Sequence, residues 1–288
     1  MTSERFDRDI RFFGKEGRDR LAASHVAVVG IGGLGTHMIQ QLALLGVGRL
    51  TLIDNQELDV TNLNRYVGAR HDDPIPGTLK VNIGERIVKA INPQILVDRI
   101  PFSLISKEAF GAIIQADYVF GCLDQDGLRL ILNELCSAYC KPYIDLASEI
   151  LQGDTASYGG RVCVAWDGQG CVICHGAIDV SEAQADLLSP EAKQDRRAIY
   201  GIRREDLSQL GPSVVSINGV VASLAITEFM LSVTGIRPPK GLLTYRGQMG
   251  VVTVKSEEPT PNCYYCKGIR GKGDAANTWR YIREGLIL

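Results

Sequence analysis

The sequence has no surplus of either charge, no internal repeat and no low-complexity segment. Its 31 lysine and arginine residues nearly balance its 33 aspartate and glutamate residues, which gives a formal net charge of -2 at pH 7. Bulk binding of nucleic acid generally needs a basic surface, so this balance argues against that function. With 45% hydrophobic and 22% charged residues among 288, the composition predicts an ordinary globular protein with a sizeable core.

The sequence also lacks an apolar segment near its start and has little else that suggests a membrane. The first 20 residues, MTSERFDRDIRFFGKEGRDR, are charged and do not resemble a secretory signal. The stretch 213–233 is apolar and long enough to span a bilayer, but it contains Asn218, Thr227 and Glu228. We interpret it as a buried helix and expect a cytoplasmic protein with neither membrane nor nucleic acid among its partners.

Short apolar segments alternate with helical patterns in the first half of the chain. Buried strands are predicted over residues 25–29, 50–53, 95–100, 118–122 and 143–146. Helices are predicted over residues 36–45, 79–91, 107–115 and 128–139. This alternation predicts an α/β fold with a doubly wound, Rossmann-like and mostly parallel sheet.

The pattern changes after about residue 150. The sheet is predicted to continue into antiparallel strands over residues 161–166, 242–245 and 251–255. Residues 175–210 are polar and are interpreted as an exposed crossing loop with short helical pieces. The segment KGIRGKGD, residues 267–274, is expected to be a flexible basic linker before a short helix around residues 279–283.

A glycine-rich turn, GIGGLG at residues 30–35, follows the first predicted strand. Gly30 and Gly32 allow a tight turn that lets the backbone approach a phosphate, and Gly35 permits close packing of helix on strand. The N-terminus of the next helix would face that phosphate. Asp54 ends the second strand, where an acidic residue accepts hydrogen bonds from ribose hydroxyls. By itself this pattern is typical of NAD or FAD sites.

Polar residues further along the chain favour a triphosphate over a nicotinamide ring. Asn62, Asn64 and Arg65 lie just past Asp54, and Lys80 begins a predicted helix. Asp124 follows a later strand, and strand ends of an open parallel sheet share one crevice. Arginine and lysine stabilise charge on a transferring phosphoryl group, and a carboxylate can hold Mg²⁺. Taken singly, the loop residues are explained equally well as caps and surface pairs.

Together, the motifs GIGGLG, LTLID, TNLNR, Lys80 and CLD closely resemble the ThiF/MoeB/HesA superfamily, which includes the adenylating domains of ubiquitin-activating enzymes. The resemblance extends from RFDRDI at residues 5–10 to Cys266. It implies one adenylation domain over residues 1–266, with a nucleotide-binding half (1–150) and a carrier-binding half (151–266) that holds the crossing loop. Residues 267–288 would form a C-terminal tail.

The resemblance also implies a reaction and its residues. The family uses ATP and Mg²⁺ to adenylate the C-terminal glycine carboxylate of a ubiquitin-like or sulfur-carrier protein. The residues that would bind the nucleotide are Gly30, Gly32, Gly33, Gly35, Asp54, Asn62, Asn64, Arg65 and Lys80. Asp124 would organise Mg²⁺, and Arg65, Lys80 and Asp124 would be catalytic.

A functional role for Arg8 is implied only by the resemblance. In homodimeric members of the family, an arginine near the N-terminus reaches the triphosphate bound by the partner subunit. Arg8, in RFDRDI, occupies that position, which implies a homodimer in which Arg8 is catalytic across the interface. Without the resemblance, Arg8 would be interpreted as a solvated surface charge.

Four of the eight cysteines form two CxxC pairs, Cys171 with Cys174 and Cys263 with Cys266. This spacing is typical of a zinc knuckle, and four thiolates satisfy a structural tetrahedral Zn²⁺ site. The ion would link the segment near the end of the chain to the earlier part of its second half. The alternatives are four reduced core thiols and a site in which His175 replaces one cysteine.

The predicted crossing loop, residues 175–210, contains no cysteine. Sulfur-transfer relatives carry a catalytic cysteine near the position at which this chain has Glu205–Ser208. The remaining cysteines are expected in the core: Cys122, Cys136, Cys140 and Cys163. His25, His37 and His71 are interpreted as structural or surface residues. We therefore expect an enzyme that stops at the adenylate and passes it to a thiol or sulfur-transfer protein.

Three other functions stay open at the level of sequence. The first is adenylation of a different carboxylate, such as a short peptide or a modified nucleoside in RNA. The second is a nicotinamide-dependent oxidoreductase that uses the same glycine loop. The third is an inactive scaffold that only binds the carrier.

Overall fold

Eight strands form one sheet in the computed structural model, which describes residues 3–151, 157–188, 212–255 and 258–283. The strands are β1 (His25–Val29), β2 (Arg49–Ile53), β3 (Leu96–Ile100), β4 (Tyr118–Gly121), β5 (Tyr143–Leu151), β6 (Ser157–Ala165), β7 (Leu242–Arg246) and β8 (Val251–Lys255). Their order is β3-β2-β1-β4-β5-β6-β7-β8. Strands β1 to β5 pair in parallel and β5 to β8 antiparallel, which confirms the predicted fold class.

Helices cover both faces of this sheet. The α-helices of the described residues are α1 (Asp7–Ala23), α2 (Gly33–Leu45), α3 (Lys80–Ile91), α4 (Lys107–Gln115), α5 (Asp126–Ala138), α6 (Val180–Asp186) and α7 (Val215–Val233). In β1, Val26 and Val28 face the core formed with α1, α2, α3 and α7, whereas Ala27 and Val29 face the core formed with α4, α5 and α6. A strand that is buried on both faces has apolar residues at successive positions, which explains the continuous apolar segment at residues 25–29.

Local signals set the ends of the helices next to the site. Helix α2 ends at Gly46, whose left-handed backbone (φ 70°) is typical of glycine at a helix C-terminus. Helix α4 begins after Ser106, whose hydroxyl accepts a hydrogen bond from the Ala109 amide at 3.1 Å. These signals fix the C-terminus of α2 and the N-terminus of α4.

The N-terminal helix α1 was not predicted. Most of its residues are charged, so its narrow apolar stripe is hard to recognise in the sequence. Gly14 also interrupts the helix, with φ 75°. Arg18 is 6% exposed on this helix, and its guanidinium donates to the Leu45 and Gly46 carbonyls at the end of α2. An arginine at that place satisfies carbonyls that have no partner within the helix.

Helix α7 is the apolar stretch that sequence analysis assigned to the core. By length and composition it is the one helix in the described part of the chain that could cross a membrane. It packs on α2 and on strands β5 and β6, and Val221, Ala225 and Phe229 on it are fully buried. Its packing is that of a core helix.

Two expectations, one in each half of the chain, are wrong. The segment 267–274 is not a flexible linker, because Ile269 is 4% exposed and short helical turns follow at Gly273–Ala276 and Thr278–Tyr281. Cys140 is exposed and is not a core residue. In the predicted crossing loop, α6 is described, whereas Glu205–Ser208 lies outside the described residues.

Candidate functional site

The carboxyl ends of four parallel strands open into one cavity of about 750 Å³. The predicted site residues that line it are Gly30, Gly32, Gly33, Asp54, Asn62, Arg65, Lys80 and Asp124. The segment Phe102–Ile105, which follows β3, forms another part of the wall. Residues from four separate loops therefore meet where an open parallel sheet places its ligand sites.

Two glycines of the GIGGLG motif, Gly30 and Gly35, leave no space for a side chain. Gly30 has φ 90°, and a Cβ atom there would lie 2.6 Å from the Cys122 carbonyl oxygen. A Cβ atom on Gly35 would lie 2.0 Å from the Gly30 carbonyl oxygen. Gly35 does not line the cavity, and its role in the structure is to let α2 pack closely on β1.

The N-terminus of α2 faces the cavity through Gly32, Gly33 and Leu34. The helix begins at Gly33 and has no side-chain cap. The first amides of a helix have no acceptor within it, and the helix dipole favours negative charge there. This end of α2 therefore suits a phosphate.

Asp54 holds the glycine loop and also faces the cavity. Its Oδ2 atom accepts from the Ile31 amide at 2.6 Å, and its Oδ1 atom accepts from the Gln56 amide at 2.8 Å. Burial raises the pKa of the Asp54 carboxyl, while the charge of Lys80 acts in the opposite direction. Each carboxylate oxygen can accept a further bond, so hydroxyl donors of a ribose fit this position.

Two cations line the cavity without a carboxylate partner. Lys80 is 7% exposed, and its Nζ atom donates to Gln56 Oε1 at 2.6 Å. Arg65 donates to the Thr61 carbonyl and to Asn64 Oδ1, the latter at 3.1 Å. Among the described residues, neither cation forms a salt bridge, so both positive charges are available to an anionic ligand.

Asp124 supplies a carboxylate on the opposite wall. It is exposed in the loop after β4, and no described residue forms a hydrogen bond or salt bridge with it. A solvated carboxylate beside a phosphate site is the ligand that Mg²⁺ commonly uses in proteins, where the ion keeps several waters. The donor set therefore fits Mg²⁺.

Three predicted residues lie away from this cavity. Asn64 is exposed, and its side chain orients Arg65. Gly35 packs α2 on β1, as described above. Arg8 is exposed on α1 and does not line the cavity, so a contribution from this arginine would have to come from a second copy of the chain.

Several lining residues had no clear signal in the sequence. Asn218 on α7 is 2% exposed, accepts from Ser148 Oγ at 2.7 Å and lies against Gly33. The buried Tyr66 hydroxyl lines the cavity and has no hydrogen-bond partner among the described residues. An orphaned buried hydroxyl in a polar cavity is an indication that a ligand binds there. Asn218 is one of the polar residues of this largely apolar helix, together with Thr227 and Glu228, so its polarity alone did not single it out.

Arg129 is a third lining residue without a clear signal in the sequence. It lies on α5, is 5% exposed, and its Nε atom donates to the Leu123 carbonyl at 3.0 Å. Its guanidinium is 3.5 Å from the fully buried carboxylate of Asp145 on β5. Arg129 thereby ties the loop that carries Asp124 to the sheet.

The four cysteines of the CxxC pairs meet in space. Their sulfur atoms all lie within 4.8 Å of one another. The separations are 3.8 Å for Cys171–Cys174, 3.7 Å for Cys171–Cys263 and 3.5 Å for Cys174–Cys266. Tetrahedral zinc with Zn–S bonds of about 2.3 Å separates its sulfurs by about 3.8 Å, so this cluster could bind zinc.

A second cavity of about 380 Å³ lies on the antiparallel part of the sheet. Arg161, Tyr245 and Arg246 are among the residues that line it. It shares Glu149 and Leu151 with the first cavity, so the two cavities are neighbours.

Comparison with known proteins gives a family and named relatives. The model of the ThiF family matches residues 6–266. Molybdopterin-synthase adenylyltransferase of Escherichia coli is 33% identical over 192 residues, which are 65% of this chain and 74% of that protein. The sulfur carrier protein adenylyltransferase of Thermus thermophilus is 31% identical over 162 residues, 54% of this chain and 59% of that protein.

Other relatives are much longer than the matched region. The adenylyltransferase and sulfurtransferase UBA4 of Candida albicans is 32% identical over 154 residues, 54% of this chain but 33% of that protein. The chain thus spans about a third of the length of the first curated relatives it matches. Among solved structures, E. coli MccB with ATP has a TM-score of 0.69 at 22% identity, covering 91% of this chain and 74% of the other, which shows the same fold.

Proposed function

This chain belongs to the ThiF family, and we propose that it adenylates the C-terminal glycine carboxylate of a ubiquitin-like or sulfur-carrier protein with ATP. One observation carries the proposal. A single cavity brings together an uncapped helix N-terminus, a partly buried aspartate, two cations without carboxylate partners and an exposed carboxylate. The names of the relatives, which are adenylyltransferases, support the same chemistry.

The cavity residues would act mainly by position and charge. Asp54 would bind the ribose, and the amides at the N-terminus of α2 would bind phosphate oxygens. Arg65 and Lys80 would stabilise the charge that develops as pyrophosphate leaves the α-phosphorus. Asp124 would hold Mg²⁺, which neutralises phosphate charge when bound. The attacking carboxylate is ionised at neutral pH, so the site needs no general base.

The carrier would approach along the antiparallel strands. The second cavity, which is lined by residues of β7 and shares Glu149 and Leu151 with the first, lies next to the nucleotide site. A flexible C-terminal tail that ends in glycine has the shape to enter it. The body of the carrier would then contact the outer strands, including β8, whose five residues are exposed.

The four clustered thiolates would hold Zn²⁺ as a structural ion. They supply the complete ligand set of a closed tetrahedral site, with no open position for a water or substrate. His175 is not needed as a ligand. The ion would join Cys171 and Cys174, which follow β6, to Cys263 and Cys266, which follow β8.

The assay that tests the function is exchange of labelled pyrophosphate into ATP. We expect exchange with a carrier protein that ends in Gly-Gly, and we expect at least about a hundredfold less when the terminal glycine is deleted. Exchange with short peptides alone would instead indicate the alternative peptide substrate. Protection by NAD and not by ATP in thermal melts would contradict adenylation altogether.

Arg8 is expected to serve the active site of a partner subunit in a homodimer. The variants Arg8→Ala and Lys80→Ala should each be inactive in exchange. When the two are co-expressed, half of the dimers are mixed and each mixed dimer has one intact site, so about a quarter of wild-type activity should return. The matched control is Lys80→Ala with Asp124→Asn, which leaves no intact site in any dimer. Activity that stays absent in both mixtures would refute action across the interface.

A further inference from the structure

Residues 267–283, here called the C-terminal strap, follow the second CxxC pair and lie beyond the region that the ThiF family model matches. The strap packs against α5 and reaches the start of α4. Ile269 and Thr278 on it are 4% and 0% exposed, respectively. Nothing in the proposed reaction uses these residues, so their close packing calls for an explanation.

The centre of the strap is fixed to a buried carboxylate on α5. Glu134 is 1% exposed. The Tyr281 hydroxyl donates to its Oε2 atom at 2.9 Å, and the Arg280 guanidinium lies 2.6 Å from its Oε1 atom. A buried carboxylate needs partners of this kind to offset its desolvation. Both of them, among the described residues, come from the strap.

The strap also contacts α4 and the loop before it. The Trp279 ring packs on the buried Phe110 ring of α4, with 5.7 Å between centroids. The Trp279 indole donates to Asp274 Oδ1 at 2.9 Å, which fixes the ring within the strap. Beyond it, the Arg283 amide donates to the Ile105 carbonyl at 3.1 Å.

That loop is part of the nucleotide cavity. Phe102, Ser103, Leu104 and Ile105 line the wall after β3. Ile100, two residues before Phe102, accepts a hydrogen bond from the Asp54 amide at 3.2 Å, which places the loop next to the candidate ribose ligand. Because this wall is largely apolar and lies beside Asp54, the candidate ribose ligand, it suits the nucleoside end of ATP.

Helix α5 forms another part of the cavity wall. Its first turns contribute Leu128 and Arg129, and the loop before it contributes Asp124. The strap is therefore bonded to both walls, through Glu134 on α5 and through Phe110 and Ile105 at α4. None of its residues lines the cavity, so any effect on ATP must act through these walls.

We propose that the C-terminal strap is a positioning element for the nucleotide site, which holds the wall Phe102–Ile105 and helix α5 in the arrangement that accepts the nucleoside end of ATP. The proposal rests on the proposed use of ATP. When the strap is released, the wall samples other arrangements. The apparent affinity for ATP then falls in proportion to the fraction of molecules whose wall is in the arrangement that binds ATP.

The test is the double variant Arg280→Ala/Tyr281→Phe in pyrophosphate exchange at saturating carrier. We expect the KM for ATP to rise about tenfold while kcat changes less than about twofold, because the catalytic cations stay in place. The Kd for ATP from calorimetry should rise in parallel. The matched control is Arg283→Ala, which removes a cation from the same segment but keeps the backbone bond to Ile105. The KM of this control for ATP should equal that of the wild type. The variant Arg280→Lys, which keeps a cation beside Glu134, should retain most of the wild-type affinity for ATP.

The outcomes separate the two proposals. A wild-type protein that neither binds ATP nor exchanges pyrophosphate would refute the proposed function. An active wild type with an unchanged KM in the double variant, or with a loss confined to kcat, would overturn the positioning role. If the double variant fails to fold, Tyr281→Phe alone decides, since it removes a single hydroxyl; a rise in KM of about threefold supports the proposal and no change refutes it.

Discussion

Replacing Lys80 with alanine is expected to lower carrier-dependent pyrophosphate exchange by about two to three orders of magnitude. Its ammonium group lies in a largely buried position at the start of α3, faces the cavity and has no carboxylate partner among the described residues. A charge in such a place gains most when negative charge develops on the departing pyrophosphate. The loss should therefore fall mainly on kcat, with a smaller effect on the KM for ATP.

Asp124→Asn should cause a loss of similar size with a different dependence on metal. The amide keeps the shape of the side chain but binds Mg²⁺ more weakly, so a higher Mg²⁺ concentration should restore part of the exchange activity. No such recovery is expected for Lys80→Ala. Comparing both variants over a magnesium titration therefore assigns the two residues to separate roles.

The matched control for both is Lys89→Ala. Lys89 lies on the same helix as Lys80 but at its other end, where it donates to the Pro93 and Ile95 carbonyls and not to the cavity. Its loss should leave exchange within about twofold of the wild type, because a surface substitution away from the site has little effect on it. Full exchange activity in Lys80→Ala, with correct folding by circular dichroism, would remove this lysine from the mechanism.

Removing the metal is expected to give the second large effect, this time on stability. Four thiol groups with sulfur separations of 3.5 to 3.8 Å and little access to water form a stable arrangement when a cation joins them. Chelation, or Cys263→Ser, should lower the free energy of unfolding by several kcal/mol, on the order of what other structural zinc sites contribute. Calorimetry of the metal-loaded and chelated protein measures this directly.

Elemental analysis measures the zinc content of the same proteins. Untagged protein should contain about one zinc ion per chain, and Cys263→Ser should contain much less. Cys140→Ser is the matched control because Cys140 is exposed and lies outside the cluster, so both zinc content and stability should stay unchanged. Wild-type protein without zinc, and with a melting temperature insensitive to chelators, would contradict a structural site.

The parallel half of the fold was predictable because its strands are short and buried on both faces. Apolar runs such as His25–Val29 and Tyr118–Gly121 have few alternatives, and the residues after them lie at one edge by topology alone. Strands β5 and β6 were predicted too short. They extend to nine residues each by pairing with one another, and their outer ends carry polar and glycine residues with no strand pattern.

The site was predictable to the same degree. Residues that directly follow a parallel strand, such as Asp54 and Asp124, were placed correctly in the cavity by the strand-end rule. Asn218 and Arg129 were missed because helix packing, which a local pattern does not contain, brings them there. The prediction that residues 267–274 form a flexible linker was wrong for a related reason. Its lysines and glycines suggest flexibility, whereas its order comes from Glu134, a residue distant in the sequence.

The strap also determines when, during synthesis, the nucleotide site can be completed. Helix α5 and the loop Phe102–Ile105 leave the ribosome well before Cys263, Arg280 and Tyr281 are made. A nascent chain can thus form the sheet and the phosphate end of the cavity. Glu134 then has no partner and the nucleoside wall is unsupported. Under the positioning role proposed above, a chain interrupted before the strap would bind ATP with lower affinity than the complete chain.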